Sequence, residues 1–282
     1  MSDADGATAR VSPTAYATGY FWFRQGMSHP AFATPRGQRI DRMFRAFTAV
    51  TRRLSGFSLD ALMLARHKGI DAQLAKAIES DKVGQVIEIA AGLSPRGWSF
   101  MQRYGERLRY IETDLPAMAA CKRDVLEQTG SLSERHRVVT LDALAIDGAN
   151  SLAAVAQQLD PKLGTAIVTE GLMNYLDPAS ARAVWQRIAE TLERFPNGVY
   201  FSDVYFNERV QHPAVIAFGA LLSAFVKGRM HMHFKTPQEM ARIMTAAGFK
   251  RVRAIKTEAI KATREYAQQR GGDSVRVLEA WV

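Results

Sequence analysis

Val86-Ile87-Glu88-Ile89-Ala90-Ala91-Gly92-Leu93-Ser94-Pro95-Arg96-Gly97 and, further on, Ile111-Glu112-Thr113-Asp114-Leu115-Pro116 decide how this chain reads. The first stretch is a short apolar, β-branched run ending in small residues, the pattern of a buried strand in a parallel sheet. The second is another strand with an acid at its tip, 22 residues after Gly92. A turn of small residues lets backbone N–H groups approach a ligand without a Cβ in the way. A carboxylate at the tip of the next strand accepts hydrogen bonds from ribose hydroxyls. Together they predict a nucleoside site.

The phosphate cradles of other nucleotides do not fit. A dinucleotide fingerprint needs G-x-G-x-x-G, and those places hold Ala90, Gly92 and Pro95. No Gly-Lys-Ser/Thr phosphate loop occurs. Glu88 inside the first strand argues against a pyrophosphate and for a ligand that carries positive charge. S-adenosylmethionine has an ammonium, a sulfonium and no phosphate. The plainer alternative is an ordinary strand-to-helix turn with an incidental carboxylate.

These residues carry a resemblance. Glu88-Ile-Ala-Ala-Gly-Leu-Ser-Pro-Arg96 followed by Glu112-Thr-Asp-Leu-Pro116 resembles the E-L-G-A-G-L-D-T-R and E-V-D-L-P blocks of the leucine carboxyl methyltransferase family. Ala65-Arg66-His67-Lys68-Gly69-Ile70-Asp71, Thr140-Leu-Asp-Ala-Leu144 and Thr169-Glu170-Gly171-Leu172-Met173-Asn174-Tyr175-Leu176 resemble three further blocks, in the family's order. The chain departs by holding Ala90 for the usual first Gly and Ser94-Pro95 for Asp-Thr; Pro95 removes one loop donor. The family includes phosphatase-methylating enzymes and bacterial O-methyltransferases of polyketides and other small molecules. The resemblance implies S-adenosyl-L-methionine as cofactor. Arg66 would meet the carboxylate of its methionine part, where a guanidinium fork suits a bidentate contact. Glu88, Ala90, Gly92, Asp114, Leu115 and Glu170 would line the cofactor, while Asp142 takes the adenine amine and the Ala143 N–H faces a ring nitrogen.

The composition is ordinary globular material, with 47% apolar and 23% charged residues, and a net charge of +9. One cysteine, Cys121, excludes a disulfide framework and a cysteine-based zinc site. No signal peptide or membrane-spanning run is read, so a soluble, cytoplasmic protein with no membrane partner is expected. Arg36, Arg39, Arg42, Arg45, Arg52 and Arg53 crowd one helical stretch. Such a cluster serves nucleic acid or forms a solvated face, and the second reading is preferred.

Along the chain, residues 1–80 read as an N-terminal aromatic segment and helical cap, and 81–282 as an α/β domain. Tyr16, Tyr20 and Trp22 are candidates to stack on a flat substrate, or to cover a core edge. Helical periodicity runs over 38–50 and 59–80. Strands are expected at 84–90, 108–113, 137–141, 165–169 and 198–203, with helices after Gly97 and over 117–129, 149–159 and 178–194. Pro116 is well placed at a helix start. An insertion, 205–235, reads as a lid over the acceptor pocket, containing a helix (213–226) and bringing Tyr205 to the substrate. Strands at 250–256 and 275–281 close the chain as an antiparallel pair. The expected fold is α/β, a Rossmann-like class I methyltransferase sheet with helices on both faces. Glu88, Asp114, Asp142 and Glu170 all fall at strand ends, where open α/β sheets bind ligands. Four such acids need a cationic partner, because like charges raise one another's pKa.

For the chemistry, the expectation is methyl transfer to an oxygen, phenol or carboxylate, of a small molecule. Tyr175, His231 and His233 are the candidate catalytic residues, since a phenol benefits from a base and a carboxylate does not. Surface or packing roles for both histidines are the plainer reading, and a metal site lacks a third ligand. Carboxyl methylation of a peptide or protein C-terminus, helped by Lys227, Arg229 and Lys235, is one alternative. An RNA-binding module built on helix 36–53 is the other. No sequence feature fixes an oligomeric state.

Overall fold

The structure, a computed structural model, describes residues 13–206 and 230–282. Its principal elements are α1 (Pro13–Arg24), α2 (Pro35–Ser55), α3 (Leu59–Glu79), β1 (Gln85–Ile89), α4 (Arg96–Tyr104), β2 (Arg109–Asp114), α5 (Pro116–Gln128), β3 (His136–Thr140), α6 (Leu152–Ala156), β4 (Thr165–Thr169), α7 (Pro178–Leu192), β5 (Val199–Val204), α8 (Pro237–Ala246), β6 (Arg251–Lys256), α9 (Arg264–Ala267) and β7 (Arg276–Trp281). The fold is α/β, with a mixed seven-stranded sheet and helices on both sides, as expected. The expected helix at 213–226 lies outside the described residues. Among the described residues no helix is long and apolar enough to cross a membrane.

The chain forms two compact units, Met1–Arg45 with Gly84–Leu159, and Ala46–Val83 with Asp160–Val282. In the first unit β1 pairs with β2 and β2 with β3, all parallel. The register sets Glu88 beside Glu112 and Asp114 beside Thr140. Every residue of β1 is buried, as its apolar run predicts. In the second unit β4 and β5 are parallel, and β7 lies antiparallel between β5 and β6. The terminal antiparallel pair is therefore present, and β4 and β5 are buried throughout.

Local chemistry explains where the helices start. The Ser58 hydroxyl accepts from the Ala61 N–H to open α3, and Asp177 caps α7 ahead of Pro178. Thr236 caps α8, and Glu239 reaches back to the Lys235 N–H at 2.7 Å. Three spans depart from the sequence reading. The aromatic stretch after Ser12 is itself a helix, α1. α2 runs longer than 38–50 at both ends. α6 is shorter than 149–159: Ser151 caps it by accepting from the Ala154 N–H, so it starts at Leu152, and it ends at Ala156.

Gly164 enters β4 so close to the Lys82 carbonyl that a Cβ there would stand 1.7 Å from the oxygen. Backbone atoms on both sides leave no rotamer to relieve the overlap. Gly164→Ala is expected to lower stability by about 2 kcal/mol or more. Urea unfolding measures it, and a loss under about 0.5 kcal/mol would contradict the contact.

Candidate functional site

In the first unit the turn after β1 is held by the tip of β2. The Ala91 N–H donates to the Thr113 carbonyl at 2.9 Å. One Asp114 oxygen accepts from the Gly92 N–H and the other from the Leu115 N–H, each at 2.8 Å. Two backbone donors thus fix the carboxylate plane and leave each oxygen a second lone pair. Burial raises the Asp114 pKa, opposed by the Gly92 and Leu115 N–H groups and by the charge of Lys122. Gly92 has φ +50°, and a Cβ there would meet the Ala15 methyl at 3.3 Å. Ala90 shares that left-handed conformation, with φ 55°, without being glycine. At the end of β3, one Asp142 oxygen accepts from the Leu144 N–H at 2.9 Å, and Ala143 is half-buried beside it.

Glu88 departs from the role expected of it, and Trp22 takes the second of its two, covering core. Glu88 is 1% exposed, and both its oxygens already have protein partners: Arg96 Nη1 at 2.6 Å and the Tyr110 hydroxyl at 2.8 Å. Its positive partner is Arg96, so the charge argument drawn from Glu88 is answered inside the protein. Trp22 is 2% exposed and packs edge-on against Phe21 at 4.7 Å, which encloses the ring instead of presenting it to a ligand. Tyr16 and Tyr20 are half-buried. Arg36 lies over the Tyr16 ring at 4.6 Å, and Gln38 donates to the Tyr20 hydroxyl at 3.2 Å.

In the second unit Arg66 is the centre of a buried cluster. Its Nε lies 2.9 Å from Glu170 Oε1, and its Nη1 lies 3.8 Å from Asp203 Oδ2. Glu170 Oε2 meets His67 Nδ1 at 2.8 Å. Burial alone would lower the Arg66 pKa; Glu170, then Tyr205 and Asp203, turn the shift upward. Asp203 Oδ1 accepts from the Gly171 N–H at 2.8 Å, while its buried Oδ2 takes no hydrogen bond. Burial raises the Asp203 pKa against the pull of Arg66. It also raises those of Tyr175 and Tyr205.

A hollow at the end of β5 is lined by Asn174, Trp185, Asp203, Tyr205 and His233. His233 Nε2 contacts the Met173 carbonyl at 2.7 Å. A carbonyl only accepts, so Nε2 carries the proton and Nδ1 holds the lone pair of the neutral ring. Burial lowers the His233 pKa, favouring that neutral form. His231 is tied by its backbone: its N–H donates to the Asn174 carbonyl, and its own carbonyl accepts from Asn174 Nδ2, both at 2.7 Å. Lys227 and Arg229 lie outside the described residues. Asp203, absent from the site residues expected above, carries a signal in the sequence as an acid at the tip of a strand.

The profile of the leucine carboxyl methyltransferase family matches residues 30–189, more than half of the 282-residue chain. The chain belongs to this family. A Mycobacterium tuberculosis protein (strain H37Rv), provisionally named an S-adenosyl-L-methionine-dependent methyltransferase, is 31% identical over 113 residues, 39% of this chain. That match spans 36% of the relative's own length. Among solved structures, a provisionally named methyltransferase from Thermobifida fusca superposes with TM-score 0.59 at 15% identity, covering 84% of this chain and 87% of its own. PigF, solved with SAH, superposes with TM-score 0.51 at 18% identity, covering 75% of this chain and 55% of its own. At these identities the likeness is one of fold.

Two outcomes follow from the geometry. Ala90→Gly removes a Cβ from a left-handed residue and is expected to raise stability by about 1 kcal/mol, against the usual direction for Ala→Gly. Chemical denaturation measures it, and a loss of stability would contradict the strain. Arg66→Met leaves the Asp203 and Glu170 carboxylates buried without their cation and is expected to cost about 3–5 kcal/mol near pH 7.5. Asp203 already titrates above its ordinary value, and losing Arg66 raises it further. Protonation therefore relieves the variant as pH falls, and its deficit at about pH 5 is expected to be smaller by about 1 kcal/mol or more. An equal deficit at both pH values would contradict the cluster's charge state.

Proposed function

We propose that this protein is an S-adenosylmethionine-dependent methyltransferase acting on an oxygen, phenol or carboxylate, of a small molecule. The observation that carries the reading is the Asp114 carboxylate, held by the Gly92 and Leu115 N–H groups with lone pairs to spare at the tip of β2. A ribose diol needs two acceptors in a fixed plane, and the residues present fit it. The glycine turn supplies the close approach, and Ala90 keeps the same backbone conformation as a glycine there. Family membership and the relatives' names support the same cofactor.

When bound, the cofactor supplies an electrophilic methyl group for in-line displacement. The chain's task is to bind, align the acceptor and accept a proton where one must leave. Asp114 takes the ribose hydroxyls, and Asp142 with the Ala143 N–H takes the adenine edge. Arg66 keeps the role the family resemblance assigns it, toward the methionine carboxylate. His233 is the better of the two histidines for a base, because its neutral form leaves Nδ1 open to a hydroxyl proton. Tyr175 is assigned to the acceptor oxygen as a donor.

Asp114→Asn tests the placement. An amide must point its NH2 at either the Gly92 or the Leu115 N–H, so the substitution unsettles the turn as well as the ribose. S-adenosylhomocysteine affinity by calorimetry is expected to fall at least about tenfold, and wild-type affinity in the variant would remove Asp114 from the site. Transfer of a labelled methyl group to a panel of phenols and carboxylic acids tests the reaction. Product on nitrogen or carbon acceptors only would contradict the oxygen assignment.

A further inference from the structure

Behind the turn lies a second set of charges that the proposed reaction does not use. Lys122, on α5, is 1% exposed, and its Nζ lies 2.5 Å from Glu112 Oε2. The same ammonium donates to the Ser94 carbonyl. Glu112 is fully buried, and its other oxygen meets His136 Nε2 at 2.8 Å. The register places Glu112 directly beside Glu88, which is occupied by Arg96 and Tyr110. Two carboxylates on adjacent buried strands repel, so each needs its own cation. Arg96 begins α4 just after the turn, and Lys122 grips the turn's own carbonyl.

Ser94 is the residue whose carbonyl most needs such a donor. Pro95 has no N–H, so the Ser94–Pro95 peptide offers only an acceptor, and this acceptor faces inward. Gly97 completes the arrangement, because a Cβ at this position would stand 2.3 Å from Glu112 Oε1. Besides the Ala91 N–H on the Thr113 carbonyl, the turn is therefore held at three points: the Gly92 N–H by Asp114, the Ser94 carbonyl by Lys122, and Arg96 by Glu88.

We propose that Lys122, braced by Glu112, is a positioning residue for the cofactor turn. It fixes the Ser94–Pro95 peptide from behind and extends its positive charge to Asp114. The proposal rests on the reading of this turn as the S-adenosylmethionine site. Lys122 touches no ligand in this account; it acts through Ser94 and Asp114. The field of Lys122 opposes the upward push of burial on Asp114. Without it, Asp114 takes up a proton at a higher pH, and ligand affinity begins to fall earlier on acidification.

The test uses the full chain and S-adenosylhomocysteine titrated by calorimetry between about pH 5 and pH 8. Lys122→Met strands the Glu112 charge and costs stability, so Lys122→Met/Glu112→Gln is made beside it, a pair that buries no unpaired ion. Melting temperatures show which variants are folded. The double variant is expected to melt above the single one yet bind at least about tenfold more weakly than wild type. The acid limb of its affinity profile is expected to move to higher pH, which loss of packing alone would not do. A folded double variant with wild-type affinity and an unmoved acid limb would overturn the positioning role alone. A wild-type protein that binds no S-adenosylhomocysteine at any pH would overturn both this inference and the reading beneath it.

Discussion

Two carboxylates side by side in buried parallel strands set the constraint on which the first unit is built. Glu88 and Glu112 sit at the same level of β1 and β2, away from water. Desolvation pushes both toward neutrality. The Glu88 pKa is raised despite Arg96, whereas Lys122 and then His136 overcome burial at Glu112 and lower it. Both cations come from chain that follows a strand: Arg96 from the start of α4, Lys122 from the second turn of α5. Meeting the electrostatic demand of the strands brings the glycine turn and both helices into place.

The second unit meets a similar demand with one cation. Arg66 stands against Glu170 and Asp203, with His67 on the far oxygen of Glu170. The acids at the ends of β4 and β5 are therefore partly answered by protein charge. Asp203 Oδ2 is held by that charge alone, since it takes no hydrogen bond, and the residue lines the hollow that also holds His233 and Tyr205. In both units a strand-tip aspartate receives the N–H of a glycine: Asp114 from Gly92, Asp203 from Gly171. The recurrence identifies a shared device for fixing a carboxylate at the edge of a sheet.

Much of this was legible in the sequence because it is local. Thr165–Thr169 coincides with the strand expected from the sequence, since a buried β-branched run between polar residues has few other readings. Asp114 was legible from its position at a strand tip after a small-residue turn. Lys122 and His136 were not. Lys122 sits in a helix between Cys121 and Arg123, where a lysine reads as solvated, and its partner Glu112 lies ten positions away in another element. The available signal was Glu112 itself, an acid in the middle of a buried strand, which requires a partner from somewhere. Trp22 shows a related limit: its spacing leaves both a stacking face and a core cover open, and only packing shows that the ring is enclosed. Aromatic density by itself does not distinguish a cover or a lid from a helical face, so α1 is not evident from it.

The most direct measurement is thermal unfolding of the protein alone and with S-adenosylmethionine, S-adenosylhomocysteine or NAD, since a ligand that binds only the folded state raises the melting temperature. A concentration-dependent rise with both adenosyl ligands and none with NAD is expected. A rise with NAD, or no rise with either adenosyl ligand, would contradict the cofactor reading.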